Sequence, residues 1–129
     1  MYIIGFDHGS KRIGVAVGQT LTATARPLAI VPVKNQQIDW ARITALIQEW
    51  QPDALVVGLP KHADGSDSTS TVAARRFSRQ LQGRYQLPVH SIDERLSSVA
   101  AAEKISPKRR DLDAVAAQII LETWFTECL

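Results

Sequence analysis

Asp7, the adjacent pair Asp93–Glu94 and Asp113 are the residues of this 129-residue chain whose type and placement could do chemistry. Asp7 follows Tyr2-Ile3-Ile4-Gly5-Phe6, an uncharged, mostly apolar run that reads as a buried strand. A carboxylate cannot stay unpaired inside such a strand, so Asp7 marks its exit. His8 to Ser10 then make a short turn, Lys11 and Arg12 put positive charge beside the acid, and Ile13 to Gly18 read as a returning strand. Acid, glycine and cations at one sheet end suit a divalent metal and a phosphate. The carboxylate binds a hard cation, Gly9 lets the backbone come close, and the basic pair meets phosphoryl oxygens.

Two further acids extend the set. Asp93 and Glu94 end a strand that runs from Pro88 to Ile92. Consecutive residues in extended chain point to opposite faces, so only one can face Asp7, and both stay open at this point. Asp113 heads a helical stripe with Ala117, Ile120, Leu121 and Trp124, where an acid needs a cation or backbone donors. Singly, each acid has an ordinary role: Asp7 could order a turn, Glu94 could pair with Arg95, and Asp113 could favour the helix dipole. Together at one pole they favour one or two Mg²⁺ or Mn²⁺ ions that orient a phosphodiester, activate water and stabilise the leaving oxygen.

Other chemistries find little support. Cys128 is the single cysteine, the three histidines (His8, His62 and His90) lack metal-ligand spacing, and neither a P-loop nor a dinucleotide fingerprint occurs. The net charge of +2 hides an uneven distribution. Arg75, Arg76, Arg79 and Arg84 fall in an acid-free stretch, and Lys108-Arg109-Arg110 form a second block. Such patches either contact a polyanion or are solvated helix faces. The length fits one domain, residues 1–129, with a sizeable core. The longest uncharged stretch, Ile13 to Ala25, is too short to span a bilayer, and a cytoplasmic protein with no membrane partner is expected.

The elements that must position these residues follow from periodicity and breakers. Thr22 to Val33 reads as a third strand whose Pro27 and Pro32 call for an edge or a bulge. Asp39 can cap a helix through Trp40, Ile43, Leu46 or Ile47, and Trp50. Ala54 to Leu59 reads as a parallel strand buried on both faces, and Pro60 to Ser68 as a polar loop. Val72 or Ala73, Phe77, Leu81 and Tyr85 mark a second helix. Ser97 or Ser98 can cap a short helix ending at Pro107, and a last helix runs from about Asp111 to Phe125. The expected fold is α/β: a mixed five-stranded sheet, an antiparallel three-strand meander plus two parallel strands, with helices on both faces. Ligands collect at the carboxyl ends of parallel strands, where Asp7 and Glu94 both fall.

Four segments carry a family resemblance: Phe6 to Gly18, Val57-Gly58-Leu59-Pro60 with Asp64-Gly65, Asp93-Glu94-Arg95-Leu96-Ser97, and Asp113 with Ile119 to Glu122. In order and over nearly the whole chain, they resemble the YqgF/RuvX family. The resemblance implies an RNase H-like fold and a cytoplasmic bacterial nuclease that trims the 5′ end of the 16S ribosomal RNA precursor, with Holliday junction resolution as the alternative. By position, Asp7, Glu94 and Asp113 match the family's acidic metal-binding residues, and Lys11, Arg12 and Arg95 match its basic ones. The expected function is therefore a nuclease dependent on Mg²⁺ or Mn²⁺. Asp7, Glu94 and Asp113 would be catalytic, and Lys11, Arg12, Arg75, Arg76, Arg79 and Arg95 would contact structured or precursor rRNA, or branched DNA. A monomer or weak homodimer is expected. Two other classes compete: a non-catalytic RNA-binding or transcription-associated factor, against which the intact acids argue, and an actin-like ATP-binding domain, against which the length argues.

Overall fold

The structure is a computed structural model that describes residues 1–96 and 109–128, without the side chains of residues 96 and 109–113. Strands β1 (Tyr2–His8), β2 (Arg12–Gln19) and β3 (Thr24–Lys34) form an antiparallel meander. The short β4 (Gln37–Ile38) follows, then helix α1 (Trp40–Trp50), β5 (Ala54–Leu59), helix α2 (Thr69–Tyr85), β6 (Val89–Asp93), a 3₁₀ turn over Glu94–Leu96 and helix α3 (Arg109–Cys128). The sheet order is β4-β3-β2-β1-β5-β6, with β1, β5 and β6 parallel. The expected short helix ending at Pro107, and its Ser97 or Ser98 cap, lie outside the described residues.

The sheet has six strands, one more than the sequence pattern leads one to expect. The extra strand is β4, which pairs Ile38 with Val33 and Gln37 with Lys34. Asn35 and Gln36 at φ 52° and 62° turn the chain tightly enough for that pairing. Of the two prolines in β3, Pro27 lies at a bulge, as anticipated, whereas Pro32 pairs with Arg12 in a strand flanked by β2 and β4. Pro27 faces Ala16 while Ala29 faces Val15, so Leu28 is the extra residue of a bulge, and Pro27 sits where the ladder is already interrupted.

The helices bury the two faces of the sheet. Asp39 caps α1 by accepting from the Arg42 N–H at 3.3 Å. Ser68 and Thr71 form a reciprocal box at the start of α2. The buried stripe of α2 is Thr71, Ala74, Phe77 and Leu81, whereas Val72 is 52% exposed. Thr71 explains this rotation, because its hydroxyl donates to the Pro60 carbonyl and holds that side of the helix inward. Ile4, Phe6, Val15, Leu55 and Val57 pack against α1 and α2, while Ile3, Ala16, Val56 and Ile92 pack against Ala117, Ile120, Leu121 and Trp124 of α3. Glycines let α3 lie close: a Cβ on Gly18 would come within 2.7 Å of Phe125 Cζ.

Gly83 differs from these. It lies within α2, and a methyl group added there would meet nothing within 4 Å. Gly83→Ala should therefore raise stability by about 0.5–1 kcal/mol through reduced freedom of the unfolded chain, read as a higher denaturation midpoint at unchanged slope.

Candidate functional site

Strand alternation sets the faces at the carboxyl end of β1. Ile3 and Gly5 face α3, so Asp7 faces the same side, half-buried opposite Gly14 of β2. His8 falls on the other side, with its ring 5.1 Å from that of Phe77. Beside β1, the register pairs Phe6 with Val57, which puts Gly58 next to Asp7 in the adjoining strand. Beyond it, β6 pairs Ile92 with Gly58 and Asp93 with Leu59.

The structure separates the two consecutive acids. Asp93 holds Arg95: its Oδ2 accepts from Nη2 at 2.7 Å and from Nε at 3.0 Å, and its Oδ1 accepts from the Arg95 backbone N–H at 2.9 Å. The Arg95 guanidinium keeps the Asp93 carboxyl below the usual carboxylate range. Glu94 turns the other way. Its Oε1 is buried and lies 2.8 Å from the point that a Cβ on Gly58 would occupy, so the missing side chain makes room for the carboxylate. Glu94 thus shares the α3 side of the sheet with Asp7, and the alternative of a Glu94–Arg95 pair gives way to Asp93–Arg95.

Helix α3 brings the third acid toward the same end. Leu121 and Ala117 flank Gly5, Phe125 lies against Gly18, and Ile120 lies against Gly58, so the helix runs antiparallel to β1. Position 113 is one turn beyond Ala117, toward the end of β1 that carries Asp7. The Asp113 side chain is outside the described residues. Among the described residues, no group of three or more His, Cys, Asp and Glu forms a potential metal cluster.

The basic residues divide between positions. Lys11 is exposed in the turn beside Asp7 and Arg12 is half-buried at the start of β2, and the Lys11 carbonyl accepts from the Val33 N–H. Arg95 also donates to the Ala63 carbonyl at 3.4 Å and rests against Gly65, whose φ of 90° suits glycine. The loop after β5 is therefore fixed to the end of β6. Asp67 in that loop accepts from Arg75 at 3.3 Å. Arg76 and Arg79 lie on α2, which covers the sheet face opposite Asp7 and Glu94. Arg84 is not with them, since it stacks on Trp40 at 4.1 Å.

Burial depresses the His8 pKa below its ordinary value. The unfolded chain then takes up a proton before the native state does, so His8 removes stability as pH falls through about 6.5 and below. His8→Gln should flatten the decline in melting temperature between about pH 7 and about pH 5, a comparison that two pH series would make.

Gly58 belongs to the Val57-Gly58-Leu59-Pro60 segment but is not among the expected site residues, although its missing side chain leaves the space that the Glu94 carboxylate occupies. A signal for it does exist in the sequence: a glycine inside a buried, β-branched strand marks a close approach.

Comparisons with known proteins add relatives at several distances. The family described as "RuvX: Holliday junction resolvase" matches residues 1–127. A Hydrogenovibrio crunogenus protein named "Putative pre-16S rRNA nuclease" is 51% identical over 122 residues, covering 95% of this chain and 91% of its own. An Azotobacter vinelandii protein of the same name is 45% identical over 132 residues, covering 97% and 93%. Among solved structures, T. thermophilus RuvC in complex with Holliday junction substrate gives a TM-score of 0.62 at 19% identity, covering 97% of this chain and 94% of the other. The fowlpox virus Holliday junction resolvase gives 0.55 at 17% identity, covering 98% of both. The likeness to these two is one of fold, the RNase H-like fold. From the match of residues 1–127 and the identity to these relatives, the chain belongs to the RuvX family.

Proposed function

We propose that this protein is a metal-dependent nuclease that hydrolyses phosphodiester bonds at the 5′ end of the 16S rRNA precursor. The observation that supports it most is the pairing of Asp7 and Glu94 on one side of the sheet, at the ends of strands separated only by β5, with Gly58 leaving space for the Glu94 carboxylate. A donor set of carboxylate oxygens fits a hard divalent cation.

Asp7, Glu94 and Asp113 would hold Mg²⁺ or Mn²⁺. When bound, such an ion supplies positive charge that acidifies water and stabilises the leaving oxygen. Lys11 and Arg12 meet the phosphate beside Asp7. Asp93 acts through Arg95, orienting its guanidinium while leaving it partly exposed for a phosphate. Arg75, Arg76 and Arg79 hold the flanking backbone electrostatically, without reading sequence.

The relatives named for precursor rRNA support RNA as the substrate. The family description supports a second reading, branched DNA. A symmetric junction needs two centres and hence a dimer, whereas a trimming nuclease works as a monomer or weak homodimer. The test is incubation with labelled precursor rRNA, duplex RNA and four-way DNA junctions, with Mg²⁺, Mn²⁺ or chelator. Metal-dependent cleavage of the precursor is expected. Cleavage confined to junctions would establish the second reading, and no cleavage with either ion would leave a non-catalytic RNA-binding factor.

The basic helix carries a separate expectation. Replacing Arg75, Arg76 and Arg79 together with Gln should reduce the slope of log affinity against log salt by roughly two to three units, at about 0.7–0.9 per phosphate contact. A solvated face would leave the slope unaltered.

A further inference from the structure

At the amino end of β1, away from the acids and on the α1 side of the sheet, lies a cleft of about 410 Å³. Tyr2, Gln19, Thr24, Ala25, Arg26 and Trp50 line it. Its size falls within the roughly 300–1,000 Å³ of small-ligand sites. Tyr2 and Trp50 meet edge to face with centroids 5.3 Å apart, and the Arg26 guanidinium lies 5.1 Å from the Trp50 ring centre. Tyr2 remains 41% exposed.

The polar groups have a matching bias. Trp50 Nε1 is buried and has no acceptor among the described residues, so the ring, rather than its N–H, is what Trp50 offers to the cleft. Gln19 Oε1 is engaged by the Met1 nitrogen at 2.6 Å and the Leu21 N–H at 3.4 Å, which leaves its amide nitrogen to donate. No carboxylate lines the cleft, and the nearby Glu49 and Asp53 are exposed outside it. Two aromatic rings, a cation and hydrogen-bond donors, without an acid, fit a flat acceptor-rich ring that carries an anion.

We propose that this cleft binds a nucleoside phosphate unit, with the base against Tyr2 and Trp50 and the phosphate on Arg26. Aromatic stacking accepts any base, and arginine serves both stacking and phosphate pairing. The unit comes either from a free mononucleotide or from single-stranded RNA. As a strand subsite it rests on the nucleic-acid reading above, and it would hold a segment remote from the scissile bond: Tyr2 and Asp7 are five residues apart along β1, or roughly 17 Å.

The test is titration of the protein, in chelator, with adenosine monophosphate and separately with short oligoadenylate RNA. The three tryptophan indole N–H signals are followed by NMR, with Trp50 identified from Trp50→Phe. A shift of the Trp50 signal, weakened about tenfold or more in Arg26→Gln, is expected. Response to the mononucleotide alone makes free nucleotide the source, and response to RNA alone makes it the strand. Binding of RNA without movement of Trp50 would overturn the site and leave the nuclease reading standing. Cleavage of precursor RNA is measured separately, so a shifted Trp50 signal without cleavage would support the cleft and sink the nuclease reading. A Trp50 signal that moves with protein concentration alone would identify a self-association surface and overturn the proposal, as would equal affinity in Arg26→Gln.

Discussion

Asp7→Asn and Glu94→Gln should each reduce metal-dependent cleavage by about a thousandfold or more while leaving the fold and polyanion binding intact. Both substitutions keep side-chain size and remove the charge that a hard cation requires. The ion contributes several kcal/mol to the transition state, and each 1.36 kcal/mol is a factor of about ten in rate. Stability gives a second reading of the same event. Added Mn²⁺ should raise the wild-type melting temperature and not that of the variants. Wild-type cleavage in either variant, or a preserved Mn²⁺ increment, would remove that acid from the site.

Gly58→Ala should damage both stability and cleavage although it alters no charge. The added methyl would stand 2.4 Å from Ile120 Cδ1 and 2.8 Å from Glu94 Oε1. Ile120 is fully buried, so relief requires movement of α3, of the Glu94 side chain or of both. Overpacking of this kind costs about 1–3 kcal/mol. Because one of the displaced groups is a metal-binding candidate, cleavage should fall together with stability, and raising the metal concentration should recover part of it. Melting curves and cleavage rates at several Mn²⁺ concentrations make the comparison. Unchanged stability and rate would mean that the Glu94 carboxylate does not depend on that space.

The residues that bear on the site are legible in the sequence to different depths. Asp7 is readable because one charged group ends an apolar strand, a signal contained within seven residues. The bulge at Pro27 and the cap at Asp39 are readable for the same local reason. The choice of Glu94 over Asp93 is not: alternation demands that they part, but their directions depend on Arg95 closing on Asp93 and on the space above Gly58. The strand Gln37–Ile38 is hidden because its turn uses Gln36 at positive φ, where a glycine would have announced it. Val72 looks like a core residue and is not one, because helical spacing gives a stripe its period and leaves its phase to tertiary contacts, here the bond from Thr71 to Pro60.

The position of α3 in the chain has a consequence for biosynthesis. All six strands precede Arg109–Cys128, and this helix covers Ile3, Ala16, Val56 and Ile92. During translation the sheet therefore emerges with one apolar side open, and that is the side on which Asp7 and Glu94 converge. On the proposed reading, the incomplete chain would carry Asp7 and Glu94 without the helix that bears Asp113, so cleavage would await the docking of α3.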